Sequence, residues 1–224
     1  MISVLLPSLR PELVKQRIED FSTSTIDYEL VIVSPFVVEG KNVKWVKESP
    51  FCKGSVAATN YALNYSSKDY VVYFSDDVRP TSQCLETMYK FMEEKRKEVT
   101  PFLGAFKMLL GNREIGPFGA YEKLYACYGC IHKKDIEEIG FFSSEFVYSW
   151  ADIDLSLRVW EKGGKVEICQ DAIVKPEQIE DIIYKSHRKL YWQKDVDTFL
   201  KKWHGKLGMG IERRDGAVNK RLFL

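Results

Sequence analysis

The chain has 224 residues, 45% of them apolar and 29% charged, and a net charge of +1. That length supports one good-sized core or two small ones, and the composition is ordinary for a soluble globular enzyme. No apolar run approaches the roughly 18 residues of a membrane span. The apolar start at residues 1–6 has no basic leader or small-residue cleavage site, so it reads as a strand and not as a signal peptide. Five scattered cysteines do not suggest a disulfide framework, which points to a cytoplasmic protein.

Residues 2–6 form an apolar run closed by Pro7, the pattern of a strand buried on both faces. Arg10-Pro11-Glu12 opens a helix, with proline suited to a first turn. Residues 29–33 and 43–46 read as two further strands. Residues 54–65 read as a helix. Residues 70–74 form a wholly apolar strand, and Ser75-Asp76-Asp77 follows at once. Thr81 is placed to cap a long helix carrying Leu85, Met88, Phe91 and Met92. Residues 102–109 read as a strand and 111–119 as a glycine-rich loop. Helices are expected over 133–139 and 152–162, with a short strand over 166–169. From Pro176 a helical segment is expected to about residue 205.

Strands that are apolar throughout and alternate with helices predict an α/β fold, Rossmann-like, with a mainly parallel sheet covered by helices. Two units are expected. Residues 1–175 form the main domain, divided near residue 100. Residues 176–224 form a helical, basic extension packed on it. Within that extension, residues 184–224 hold eleven Lys/Arg against four Asp/Glu. The surplus of seven leaves −6 on the rest of the chain. A basic end of this kind suits an anionic partner such as a membrane surface, or a solvated helix face.

Ligands of such sheets bind beyond the carboxyl ends of the strands, where Pro7, Ser34 and Asp76-Asp77 fall. Two adjacent carboxylates repel each other unless a cation joins them, and Mg²⁺ or Mn²⁺ takes one or two carboxylates together with substrate phosphates. Asp-Asp before Pro80 is also good turn chemistry. Trp150-Ala151-Asp152-Ile153-Asp154 offers a general base, or carboxylates that stabilise a helix start. Cys127-x-x-Cys130 has no second pair, so buried thiols fit it better than zinc. GxGxxG, Walker A and GxSxG motifs are absent.

In order, these features resemble family-two glycosyltransferases of the GT-A fold. The resemblance rests on Ile2 to Leu13 with Pro7 and Arg10-Pro11-Glu12-Leu13, on Lys53-Gly54 through Asn60, and on Ser75-Asp76-Asp77 in the place of a DxD motif. It continues through Ile139-Gly140-Phe141-Phe142, Ala151-Asp152-Ile153-Asp154-Leu155-Ser156-Leu157-Arg158 and Gly164-Lys165-Val166. It implies metal-dependent, inverting transfer of a sugar from a nucleoside-diphosphate sugar to a glycan, lipid-linked or protein hydroxyl. Nucleic acid is not an implied partner. Pro7, Ser8, Arg10, Ser34, Lys53, Gly54, Asn60, Ser75, Asp76 and Asp77 would bind the donor. Asp77, Asp76 and His187 would hold Mn²⁺ or Mg²⁺. Asp152 would be the base, and Trp150 and Asp154 would meet the acceptor.

This chain departs from the family pattern in four places. Ser75 stands at the first acidic position, Ser34-Pro35 replaces the base-recognising aspartate, Ala151 replaces the glutamate before Asp152, and Lys175-Pro176 falls where the metal-ligand histidine is usual, with His187 as the substitute. A nucleotidyltransferase is a rival reading, although the turn after the first strand lacks glycine. A non-catalytic sugar-nucleotide-binding module and a retaining transferase are the others.

Overall fold

The structure is a computed structural model that describes residues 1–50, 52–116, 119–120, 123–204 and 206. The amino-terminal half is laid down as β1 (Ile2–Pro7), α1 (Pro11–Phe21), β2 (Tyr28–Ser34), β3 (Val43–Lys47), α2 (Gly54–Leu63) and β4 (Tyr70–Tyr73). The short β5 (Val78–Pro80) and α3 (Cys84–Lys95) follow. Next come β6 (Phe102–Leu110), β7 (Arg113–Gly116), β8 (Gly119–Ala120), β9 (Lys123–Leu124), β10 (Gly129–His132) and α4 (Lys133–Ile139). The chain continues through α5 (Ala151–Glu161), β11 (Lys165–Pro176) and α6 (Ile182–Trp203).

Nine of these strands share one sheet in the order β3-β2-β1-β4-β10-β6-β11-β5, with β7 also paired to β6. β3, β2, β1, β4, β6 and β11 point one way, while β10, β5 and β7 are reversed. The sheet is therefore mainly parallel, as the apolar strands predict. Alternate side chains feed two cores. Val4, Leu6 and Val72 pack with Val14 and Phe21 of α1 and with Leu85, Met88 and Met92 of α3. Leu5, Val71 and Tyr73 point the other way, to Ala58 and Ala62 of α2, Ile136 of α4, and Leu155 and Val159 of α5. A third cluster joins α5 to α6 through Trp150, Ile153 and Leu157 against Val196, Phe199 and Trp203. No helix among the described residues is long and apolar enough to cross a membrane.

Local structure departs from expectation where pairing overrides composition. Residues 113–116, expected within a loop, are a strand. The chain turns at Gly111 (φ +60°) and returns along β6 as β7, because glycine reaches a left-handed turn without a Cβ clash. Residues 117 and 118, also expected in that loop, lie outside the described residues. β11 runs on to Pro176 because its far end pairs with β5 after a register shift between Cys169 and Ile173. Thr81 does not cap α3. Gln83 holds that position at φ 60°, and the Thr81 hydroxyl instead donates to the Ile173 carbonyl at 2.9 Å. In the basic extension, residues 207–224 lie outside the described residues.

Candidate active site

A cleft of about 720 Å³ lies over the carboxyl ends of β1 and β4 and is walled by α2, α5 and α6. Pro7, Ser8, Arg10, Gly54, Ser75, Asp76, Asp77, Trp150, Asp152 and His187 all line it. Residues distant in sequence thus meet on one rim because the parallel strands end there.

Asp76 is buried, and both of its oxygens are engaged. Ser8 Oγ donates to Oδ2 at 2.5 Å, and Arg10 Nη1 donates to Oδ1 at 2.7 Å. Burial raises the Asp76 carboxyl above its ordinary range, and Ser8 and Arg10 pull against that rise. Arg10 also grips Asp181, with Nε to Oδ2 at 2.7 Å and Nη2 to Oδ1 at 3.2 Å. Asp181 in turn caps α6 by accepting the Tyr184 N–H at 2.8 Å. Burial acts to lower the Arg10 guanidinium, but Asp181 and Asp76 outweigh it and hold it above its usual range. Hydrogen bonding from Arg10 holds the Asp181 carboxyl down at about 2.

Asp77 differs from its neighbour in being half-buried, with Oδ1 accepting the Ser75 hydroxyl at 2.5 Å. Its backbone is fixed by the Glu177 N–H, which donates to the Asp77 carbonyl at 2.7 Å. Ser75 therefore orients the second carboxylate. His187 lies on the α6 wall, with burial and the nearby Arg10 lowering its basicity. Among the described residues, no group of three His, Cys, Asp or Glu could hold a metal ion unaided. Of the two adjacent carboxylates Asp77 is the less engaged, since Asp76 is committed to Ser8 and Arg10.

Asp152 sits in the first turn of α5, two residues after Trp150, which adopts a left-handed backbone (φ 70°). Burial pushes its carboxyl up to about 7. Backbone N–H groups of the first turn oppose the rise, and Asp154 adds to it. This is the proton affinity of a base poised for work near neutral pH. Cys127 lines the cleft beside it as a thiol raised well above its ordinary range, first by burial and then by Asp152. Of the expected pair of buried thiols only Cys130 is buried; Cys127 is half-buried because it borders the cleft.

Four expected site residues lie elsewhere. Ser34 is fully buried, donating to the Phe36 carbonyl at 2.6 Å and accepting Trp45 Nε1 at 3.1 Å. Asn60 is turned to the Phe142 carbonyl at 2.8 Å. Lys53 is exposed at the start of α2 and outside the cleft lining. Asp154 does not face an acceptor either. It is fully buried, held by Arg158 Nε (2.9 Å), Trp203 Nε1 (2.9 Å) and Lys202 Nζ (2.8 Å). Positions two apart on a helix point to different sides, so Asp152 and Asp154 part company. Trp150 reaches the cleft, yet it is 9% exposed and packs on Phe199 with ring centroids 4.8 Å apart.

Sequence patterns missed Tyr125, Cys127 and Tyr128 as lining residues. They precede β10, and because β10 is antiparallel to β4 its start lies at the carboxyl end of β4, where Gly129 pairs with Tyr73. Asp181 was missed as well. Its signal was an aspartate placed as the N-cap of a helix.

Residues 24–121 match the family model described as glycosyl transferase family 2. No curated protein matches the chain. Among solved structures, S. aureus TarS residues 1–349 in complex with UDP-GlcNAc is similar at 13% identity with a TM-score of 0.65, over 83% of this chain and 60% of that one. GalNAc-T7 with UDP, GalNAc and Mn²⁺ is similar at 11% identity with a TM-score of 0.62, over 89% of this chain and 50% of that one. The chain thus spans about half to three-fifths of these two structures, and the likeness is one of fold.

Proposed function

We propose, from the premise that this chain is a family-two glycosyltransferase with the GT-A fold, that it moves a sugar from a uridine-diphosphate sugar to a hydroxyl acceptor with inversion. One observation carries this reading. Asp77 and Asp152 face the same cleft from different elements, one just beyond the carboxyl end of β4 and the other held near neutral proton affinity. The structures it resembles hold UDP-GlcNAc, or UDP with GalNAc and Mn²⁺, which supports the donor class.

The diphosphate would lie over Pro7 and Asp77, beside the Arg10 guanidinium. Asp77 and His187 would hold Mn²⁺ or Mg²⁺. Bound there, the cation would neutralise charge on the leaving diphosphate. Asp152 accepts the acceptor's hydroxyl proton as that oxygen bonds to the anomeric carbon. The sugar–phosphate bond breaks, and its electron pair leaves with the nucleoside diphosphate. Asp76 acts behind the site, tying Ser8 and Arg10 of the β1 turn to the β4 end. The acceptor is a glycan, lipid-linked or protein hydroxyl, and the basic carboxyl-terminal segment is a contact for an anionic membrane surface.

A melting-temperature panel of nucleoside diphosphates with and without Mn²⁺ tests the reading, because a ligand that binds only the native state raises Tm. UDP with Mn²⁺ is expected to give the largest rise, and incubation with its sugar to release UDP. A rise without release would leave a binding module. No rise with any nucleotide would overturn the proposal.

A further inference from the structure

We infer that Asp195 of α6 is a positioning residue that sets the segment carrying Asp152, so that the basic carboxyl-terminal helix is part of the catalytic apparatus. The inference rests on Asp152 acting as the base. Asp195 is fully buried, and its carboxylate receives three consecutive backbone N–H groups. Oδ1 accepts from Val147 at 3.0 Å, and Oδ2 accepts from Tyr148 and Ser149 at 2.8 Å each. A neutral side chain at this position could not satisfy three amide donors, and a buried amide left unsatisfied is costly.

The same segment is held from the opposite side by the start of α2. Val56 N–H donates to the Val147 carbonyl at 3.2 Å, and Ser55 Oγ donates to the Tyr148 carbonyl at 2.9 Å. Gly54 (φ +84°) makes that approach feasible, since a Cβ there would lie 2.2 Å from the Val147 oxygen. Trp150 then turns the chain into α5, and Asp152 is the second residue of the helix. Beyond Asp152, α6 takes hold again through Trp203 and Lys202 on Asp154. Asp152 is therefore bracketed at 147–149 and at 154 by contacts from a single helix. An error of about 1 Å in the placement of a reacting group can cost about 100-fold in rate.

The test is a double-mutant cycle on the full chain, using UDP-GlcNAc with Mn²⁺ and following released UDP. The nucleotide sugar that the melting panel prefers replaces it where the two differ. Asp195→Asn swaps one acceptor oxygen for a donor. It is expected to lower kcat about 10- to 100-fold while leaving the donor Kd, measured by calorimetry, within about twofold. In an Asp152→Asn background the same change is expected to cost nothing further, because the base it positions is gone. Unchanged kcat for Asp195→Asn, or an equal loss in the Asp152→Asn background, would overturn the inference. Wild-type turnover by Asp152→Asn would instead overturn the reading of Asp152 as base. Should Asp195→Asn fail to fold, Asp195→Glu retains the charge and the acceptors and goes through the same cycle with the same expectations.

Discussion

Arg10 and Asp181 meet through two hydrogen bonds, at 2.7 and 3.2 Å, and so join the turn after the first strand to the cap of the last helix. The same guanidinium reaches Asp76, so one side chain couples the donor rim to the carboxyl-terminal helix.

The two halves of this link are unequal. Asp76 is 4% exposed at its side chain, whereas Asp181 is 32% exposed. Breaking a buried pair strands a charge and costs about 3–5 kcal/mol, while a solvent-screened pair contributes about 0–1 kcal/mol. Arg10→Ala is therefore expected to lower the urea unfolding free energy severalfold more than Asp181→Asn. Asp181 is held at about 2 by Arg10. Its modest contribution is present above the ordinary carboxylate value near 4 and is lost as pH falls from about 4 toward 2. An equal loss in both variants would refute this division.

Asp152 reverses that sign. Its folded-state pKa is raised to about 7, against about 4 in the unfolded chain. Between those values the folded protein binds more protons than the unfolded one. Stability attributable to this group therefore falls as pH rises from about 4 to 7. Asp152→Asn is expected to melt higher than wild type at pH 8 and alike at pH 4, and to lose about 10²- to 10⁴-fold in kcat. In the wild type, kcat is expected to rise through pH 7. A pH-independent difference in Tm would count against the assignment.

Asp77→Asn is expected to abolish the Mn²⁺-dependent part of the Tm rise with UDP while leaving the unliganded Tm within about 2 °C, since Asp77 is half-buried and its carboxylate accepts the hydroxyl of the adjacent Ser75. Asp76→Asn should instead lower the unliganded Tm. Persistence of the full Mn²⁺ effect in Asp77→Asn would remove it from the metal site.

Gly54→Ala places a Cβ 2.2 Å from the Val147 oxygen at φ +84°. The left-handed backbone alone costs about 1–2 kcal/mol for a residue with a Cβ, and the clash adds to it. Hydrogen exchange at residues 147–149 is expected to quicken in this variant. Unaltered protection there would argue against close packing of α2 on that segment.

Much of this architecture was legible in the sequence because burial on both faces writes long apolar runs. β1, β2 and β4 were readable on those grounds, and their ends placed Pro7 and Asp76-Asp77 on the rim. Side-chain direction was less legible. Ser34 and Asn60 sit at expected positions but turn into backbone carbonyls and Trp45, contacts that depend on tertiary neighbours. Asp154 was expected to meet the acceptor, but Trp203 and Lys202, some fifty residues on, draw it into the interior. Asp195 did leave a trace. It shares the apolar stripe of Val196, Phe199 and Trp203, and a charge on a stripe that must be buried demands partners.

The reversed strand β10 carries a different consequence. Because it runs against β4 and β6, the residues that precede it, not those that follow it, arrive over the cleft, and they come from the stretch between β6 and β10. Antiparallel neighbours need no helix-length crossover. The length of that stretch is thus free to vary without disturbing the register of any parallel pair. Descendants of this chain could reshape what the cleft admits by inserting or deleting residues there, while the acidic rim and Asp152 stay where the parallel strands and α5 put them.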